Sequence, residues 1–175
     1  MSLDPFKSFS TLQYTHLSYQ EQIAIRSCVL GLLQKDMALY DTGWQDLAQI
    51  STARIIGGLA YAAATLFKSL IEEQVIPTTN PEATGQFMYD LALLVDEEIG
   101  MPPDVLAETI EVCLDINQTE TWHRILADPL QMMADLLNCY TCLVAFLAAR
   151  QNITVERFLD AHLQHTTAPL VANAS

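Results

Sequence analysis

The sequence predicts an all-α protein, a helical bundle of about five to seven helices. Apolar residues recur at intervals of three and four along most of its 175 residues, and no segment alternates convincingly like a β-strand. Helix-start signals occur at several places, among them a serine followed by a glutamate three residues later and prolines placed directly after Asn80 and Asp128. These observations together predict a fold built from helices alone.

The predicted helices of the N-terminal half begin with the capping box Ser18-Tyr-Gln-Glu21. The helix that it opens is predicted to run to about Tyr40. Asp41-Thr-Gly-Trp44 has the composition of a turn, and a short helical piece should follow it. A long alanine-rich helix is expected from about Thr52 to Gln74, with Gly57-Gly58 allowing close approach of another helix.

The C-terminal half is divided by prolines, which mark helix starts. The expected helices run from Asn80-Pro81 to about Ile99, from Pro103 to about Ile116, from Asp128-Pro129 through a long apolar stretch, and from a Thr154 cap to about Gln164. The length fits one helical domain over residues 1–165, of which 1–17 would form an N-terminal arm, with a flexible tail over 166–175.

Composition places this domain on the apolar side for a soluble protein, with 51% hydrophobic and 17% charged residues. We therefore expect a homo-oligomer that uses part of its apolar surface, through Ile55–Phe67 or the helix from Pro129. The runs Ile55–Phe67 and Leu136–Ala149 are shorter than the ~20 residues that cross a bilayer, so they predict buried helices rather than membrane spans. The N-terminal residues lack a signal-peptide pattern, which favours a cytoplasmic protein.

The charge is strongly acidic, at −13, which disfavours binding to duplex nucleic acid or to an anionic membrane. Between Ser69 and His123 there are twelve acidic residues and no lysine or arginine. One interpretation is a solvated acidic surface that keeps an apolar protein soluble. The other is a divalent-cation site, since Mg²⁺ prefers carboxylate oxygens.

Two groups of polar residues are candidates for such a site. The first is an acidic stripe on one face of the helix after Pro103, made of Asp104, Glu108, Glu111 and Asp115. The second is Asp135 with Asn138, three residues apart within the apolar helix. A carboxylate in such a place must face water, pair with a buried arginine such as Arg124 or Arg150, or bind a metal.

The cysteine and histidine pairs carry weaker signals. The four cysteines, Cys139-x-x-Cys142 among them, lie in apolar helical sequence and are expected to be free thiols in the core. His162-x-x-His165 shares a helical face near the end of the chain, where a solvated pair is the ordinary interpretation and a metal site the alternative.

The run from Asp135 to Arg150, with the helix over 153–163 that follows it, resembles the last two helices of the all-α nucleoside triphosphate pyrophosphohydrolases, the MazG and phosphoribosyl-ATP pyrophosphohydrolase types. The resemblance implies Mg²⁺ held by an E-E-x-x-E helix and an E-x-x-D helix. Asp135-x-x-Asn138 occupies the position of the E-x-x-D motif, with an amide in place of its final carboxylate. Ala107-Glu108-x-x-Glu111 occupies the position of the E-E-x-x-E motif, with alanine in place of its first glutamate. Fewer charges would therefore hold the metal.

Two functions of different classes follow. The first is an Mg²⁺-dependent nucleoside triphosphate pyrophosphohydrolase-like protein with impaired or altered activity, whose metal ligands are Glu108, Glu111, Asp135 and Asn138, assisted by Asp104 or Asp115. The second is a non-catalytic acidic interaction module that self-associates and binds a basic partner. They differ in whether Asp135 faces the acidic stripe.

Overall fold

The computed structural model describes residues 16–75, 86, 87, 90, 103–114, 123, 125 and 127–165. Six helices lie in these ranges, and no β-strand is formed there: α1 Tyr19–Gln34, α2 Met37–Ala48, α3 Thr52–Glu72, α4 Pro103–Leu114, α5 Pro129–Gln151 and α6 Val155–His165. The all-α prediction is confirmed. Of the helix expected from Asn80-Pro81 to Ile99, residues 86, 87 and 90 are described and are helical, and the rest lies outside the described residues, as do the arm up to residue 15 and the tail over 166–175.

Helices α1 and α2 form a helical hairpin, and here the predicted boundaries were wrong. The first helix ends at Gln34 rather than near Tyr40, because Lys35 takes a left-handed conformation with φ of 58°. Asp36 then caps α2 by accepting a hydrogen bond from the backbone N–H of Leu39 at 3.2 Å. The segment predicted as a turn around Gly43 is therefore inside a helix.

Gly43 allows α2 to pack closely against α1 and does not form a turn. A Cβ atom added to Gly43 would lie 2.6 Å from the carbonyl oxygen of Ala24, and one added to Gly31 would lie 2.5 Å from the backbone nitrogen of Tyr40. Both distances are far inside van der Waals contact. The two helices thus touch backbone to backbone at these positions, which only glycine permits.

The core lies around the long helices α3 and α5, which pack against each other, with α1, α4 and α6 placed around α5. Phe67, Tyr140, Ile55 and Ile56 are fully buried. The core also extends ahead of α1, since Leu17 has no exposed surface. The apolar run Ile55–Phe67 is thus largely absorbed inside one chain.

Helices α3 and α5 span 21 and 23 residues, and both are long and apolar enough to cross a membrane by length and composition. These segments were predicted to be too short to cross a bilayer, and that prediction was wrong about their length, because each helix extends beyond its apolar run. In both helices 67% of the most apolar window is buried inside the protein. Core helices of soluble proteins commonly have this property, which makes the two helices weak evidence for a membrane.

The helix start predicted at Pro103 is confirmed, and two further starts are confirmed together with their caps. Asp128 accepts a hydrogen bond from the backbone N–H of Gln131 at 3.1 Å, with Pro129 at the first helical position. Thr154 accepts one from the backbone N–H of Arg157 at 3.1 Å. These caps fix where α5 and α6 begin, and with them the positions of Asp135 and His162.

Candidate functional site

Asp135 lies on the second turn of α5 and is half-buried, and α5 packs against α4 among its neighbours. Its carboxylate accepts a hydrogen bond from the amide of Gln131, one turn earlier, at 3.0 Å. Burial raises the pKa of Asp135, and the charges of Asp128 and Glu108 raise it further, whereas the Gln131 hydrogen bond lowers it. Asp135 is thus a carboxyl group whose ionised form is disfavoured where it lies.

Glu108 belongs to α4 and is exposed. Its charge makes the smallest of the contributions to the raised pKa of Asp135, so Glu108 lies within electrostatic range of that carboxylate. Asn138 follows Asp135 by one turn and is half-buried. The side chains of Asp104 and Glu111, and all of Asp115, lie outside the described residues.

Among the described side chains, no group of three or more histidine, cysteine or acidic residues is arranged to hold a metal ion. Of the four predicted ligands, the side chains of Glu108, Asp135 and Asn138 are described and that of Glu111 is not. A complete ligand set would need a further donor, the position that the prediction gives to Glu111.

The alternative role for Asp135, partner of a buried arginine, finds no support at Arg150. That guanidinium is about half-exposed and lies 3.8 Å from the carboxylate of Glu73. Arg150 is also fifteen residues further along α5, a rise of roughly 22 Å. The other candidate, Arg124, lies outside the described residues.

A second cluster, which sequence reasoning missed, surrounds His162 of α6. Nδ1 of His162 lies 2.7 Å from the hydroxyl of Tyr140 on α5, and Nε2 lies 2.9 Å from the hydroxyl of Thr65 on α3. Phe158 stacks on the imidazole, with ring centroids 5.9 Å apart and planes inclined by 20°. The interpretation of His162 as half of a solvated pair was wrong, because its ring joins three helices.

The hydrogen bonds of this cluster determine the tautomer of a neutral His162 ring. The single hydroxyl proton of Thr65 is donated to the carbonyl oxygen of Ala62 at 2.7 Å. Thr65 can then only accept from Nε2–H, which leaves Nδ1 as the acceptor for the Tyr140 hydroxyl. Burial raises the pKa of Tyr140 well above its ordinary value, so the phenol stays protonated and can donate.

A cavity of about 450 Å³ opens beside this cluster, where the C-terminal turns of α3 and α5 meet α6. Its apolar wall includes Leu66, Leu147, Ile153 and Phe158, and the ring of His162 completes that wall. Its charged side consists of Glu73 and Arg150, the pair separated by 3.8 Å. No sequence motif marked this site, because its lining combines residues of α3 with residues of α5 and α6, which lie far along the chain from α3.

The carboxylate most deeply buried among the described residues has a structural role. Glu21 is only 2% exposed; it accepts hydrogen bonds from the backbone N–H of Ser18 at 2.7 Å and from Arg54 at 2.6 and 3.1 Å. Burial alone would raise the pKa of Glu21, but these bonds outweigh it and hold the pKa below its ordinary value of 4.5. The predicted capping box is present, and an interhelical ion pair reinforces it.

The four cysteines are buried thiols, as predicted. Burial, with a smaller effect of a nearby charged group, raises the thiol pKa of Cys28 and of Cys142 to about 12. A hydrogen bond with Cys113, together with burial, also raises the pKa of Cys139. Protonated thiols are poor nucleophiles, so these groups serve the core.

No protein-family model, curated protein or solved structure matches this chain. The resemblance to the all-α pyrophosphohydrolases remains a prediction from the sequence.

Proposed function

We propose that the protein is an Mg²⁺-dependent nucleoside triphosphate pyrophosphohydrolase-like protein of altered or reduced activity, with its metal-binding end between α4 and α5. The observation that carries the proposal is Asp135, a half-buried carboxylate whose pKa is raised by burial and by the charges of Asp128 and Glu108. A divalent cation would remove this cost by attracting both carboxylates.

The donor types fit magnesium, which prefers carboxylate and amide oxygens and keeps several of its waters. Glu108, Asp135 and Asn138 would hold it, with Glu111 from the preceding helix as the fourth predicted ligand. When bound, Mg²⁺ offsets phosphate charge and lowers the pKa of a coordinated water. The chain's own contribution is to orient these oxygens on two packed helices.

The test combines cation binding with catalysis. The melting temperature of the parent should rise with Mn²⁺ or Mg²⁺ relative to EDTA, and pyrophosphate should be released from nucleoside triphosphates. Asp135→Asn and Glu108→Gln should each weaken both responses. Asp46→Asn removes the same charge at an exposed position of α2 and should leave both responses intact. A parent that neither responds to cations nor releases pyrophosphate would refute the proposal.

A second candidate function is an acidic interaction module, favoured by the twelve acids and absent basic residues between Ser69 and His123. Glu72, Glu73 and Asp90 of this region are exposed in the structure, which suits contact with a basic partner.

Self-association belongs to this proposal too. Exposed apolar side chains at Tyr19, Ile23, Met37 and Leu130 are the described residues on which it could draw. Sedimentation of a monomer at micromolar concentration would contradict self-association.

A further inference from the structure

We infer that the cavity between α3, α5 and α6 is a binding site for a small zwitterion, an α-amino acid with a large apolar side chain. This inference is independent of the proposed function, since the cavity lies at the opposite end of α5 from Asp135. Its volume of about 450 Å³ falls within the range of small-molecule sites.

The charges at the cavity select a zwitterion over a simple ion. Glu73 and Arg150 both line it, both are about half-exposed, and their nearest charged atoms are 3.8 Å apart, near the limit for an ion pair. Such a pair holds each side chain only weakly. A ligand anion alone would meet Glu73 as well as Arg150, and a ligand cation alone would meet both too. Adjacent ammonium and carboxylate groups can satisfy the two residues together.

The direction of the helices supports a ligand whose ammonium group faces Glu73 and whose carboxylate faces Arg150. α3 ends at Glu72 and α5 ends at Gln151, so the carbonyl ends of two helices point to this region. The negative end of the α3 dipole favours the ligand's ammonium group on the Glu73 side, and the guanidinium of Arg150 offsets the negative end of the α5 dipole. Arg150, in the last turn of α5, supplies the positive charge for the carboxylate.

The remaining wall explains why the ligand should carry a large apolar side chain. Leu66, Leu147, Ile153 and Phe158 offer apolar surface, and Phe158 is stacked on His162. Both ring nitrogens of His162 are hydrogen-bonded, to Tyr140 and Thr65, so the imidazole is held in one orientation. A wall that is already ordered loses little entropy when a side chain packs on it.

The experiment is calorimetric titration of the full chain with L-leucine and L-phenylalanine at neutral pH. We expect saturable one-site binding of at least one of them. 2-Phenylethylamine and 3-phenylpropionate, which each keep one charge of phenylalanine, should bind at least about tenfold more weakly. The absence of saturable binding up to about 10 mM would overturn the inference.

Variants identify the site. Arg150→Gln and Glu73→Gln should each weaken binding about tenfold or more, whereas the neighbouring changes Arg157→Gln and Glu72→Gln should leave it unchanged. Ala161→Trp, at an exposed lining position, should block the cavity while keeping both charges. Melting temperatures of the variants report that each is folded. Binding that survives all three changes at the cavity would place the ligand elsewhere and overturn the inference.

Discussion

The hydroxyl of Tyr140 lies 2.7 Å from Nδ1 of His162, which couples a fully buried side chain of α5 to α6. With Thr65 accepting from the other ring nitrogen, this contact joins α3, α5 and α6 through polar atoms inside an otherwise apolar core. Polar groups in such a place are costly to leave without partners.

The first prediction concerns the histidine ring. When the His162 ring is neutral, nitrogen-15 NMR should show it protonated at Nε2 and unprotonated at Nδ1. The reason is that Thr65 donates its own proton to Ala62 and can only accept from Nε2–H. Tyr140→Phe should lower stability by about 1–2 kcal/mol in chemical denaturation, since it leaves Nδ1 without a donor. Tyr19→Phe, at an exposed position, is the control and should cost nothing measurable. Observation of the opposite tautomer would refute the assigned direction of these bonds.

The second prediction concerns pH and Glu21. Its pKa is lower in the folded protein than its ordinary value of 4.5, so its ionised form stabilises the fold above that pH. This stabilisation is lost as the pH falls from about 4.5 through the folded-state pKa. Glu21→Gln should cost about 2 kcal/mol at neutral pH, and the difference from the parent should shrink in acid. A difference that stays constant from about pH 6 to about pH 3 would contradict this account.

The third prediction concerns Asp135 without metal. Its pKa is raised in the fold, so stability falls as the pH rises from the ordinary value of 3.8 through the folded-state pKa. Asp135→Asn in EDTA should therefore melt at the same temperature as the parent or slightly higher, a gain below about 1 kcal/mol. A large loss of stability would instead show that the carboxylate has a cationic protein partner.

The fourth prediction concerns the α1–α2 hairpin. Alanine favours a helix over glycine by about 1 kcal/mol, yet Gly31→Ala and Gly43→Ala should each destabilise the protein by about 1–3 kcal/mol. The added Cβ would meet the backbone of the opposite helix in both cases. Ala38→Gly, at an exposed position of α2, measures helix propensity alone. Glycine replacements that stabilise the protein would show that the two helices can move apart.

The sequence was sufficient for the fold class and for most helix starts, because caps and prolines act within one turn of chain. Ser18, Asp128 and Thr154 illustrate this, since each bonds a backbone N–H three residues ahead. The break after Gln34 was missed because it depends on Lys35 in a conformation more usual for glycine. Gly43 was interpreted as a turn residue, but it lies where α2 closely contacts α1. That contact exists only in the folded chain and leaves no local pattern in the sequence.

The candidate sites show the same division between local and tertiary signals. Asp135 was found from sequence because an acid within an apolar run is visible there. His162 and the Glu73–Arg150 pair were not, because their partners lie 22 to 97 residues away, beyond any local pattern. The cavity exists only when α3, α5 and α6 are packed together, so no single helix shows which of its side chains line it.

The cluster at His162 also bears on the order in which the chain folds. The α1–α2 hairpin joins neighbouring segments, so its closing loop is short and its formation should be early. The contact from Thr65 to His162 closes a loop of 97 residues and needs α6, which leaves the ribosome last of the described helices. We therefore expect the polar cluster to form late, and its loss should speed unfolding more than it slows folding.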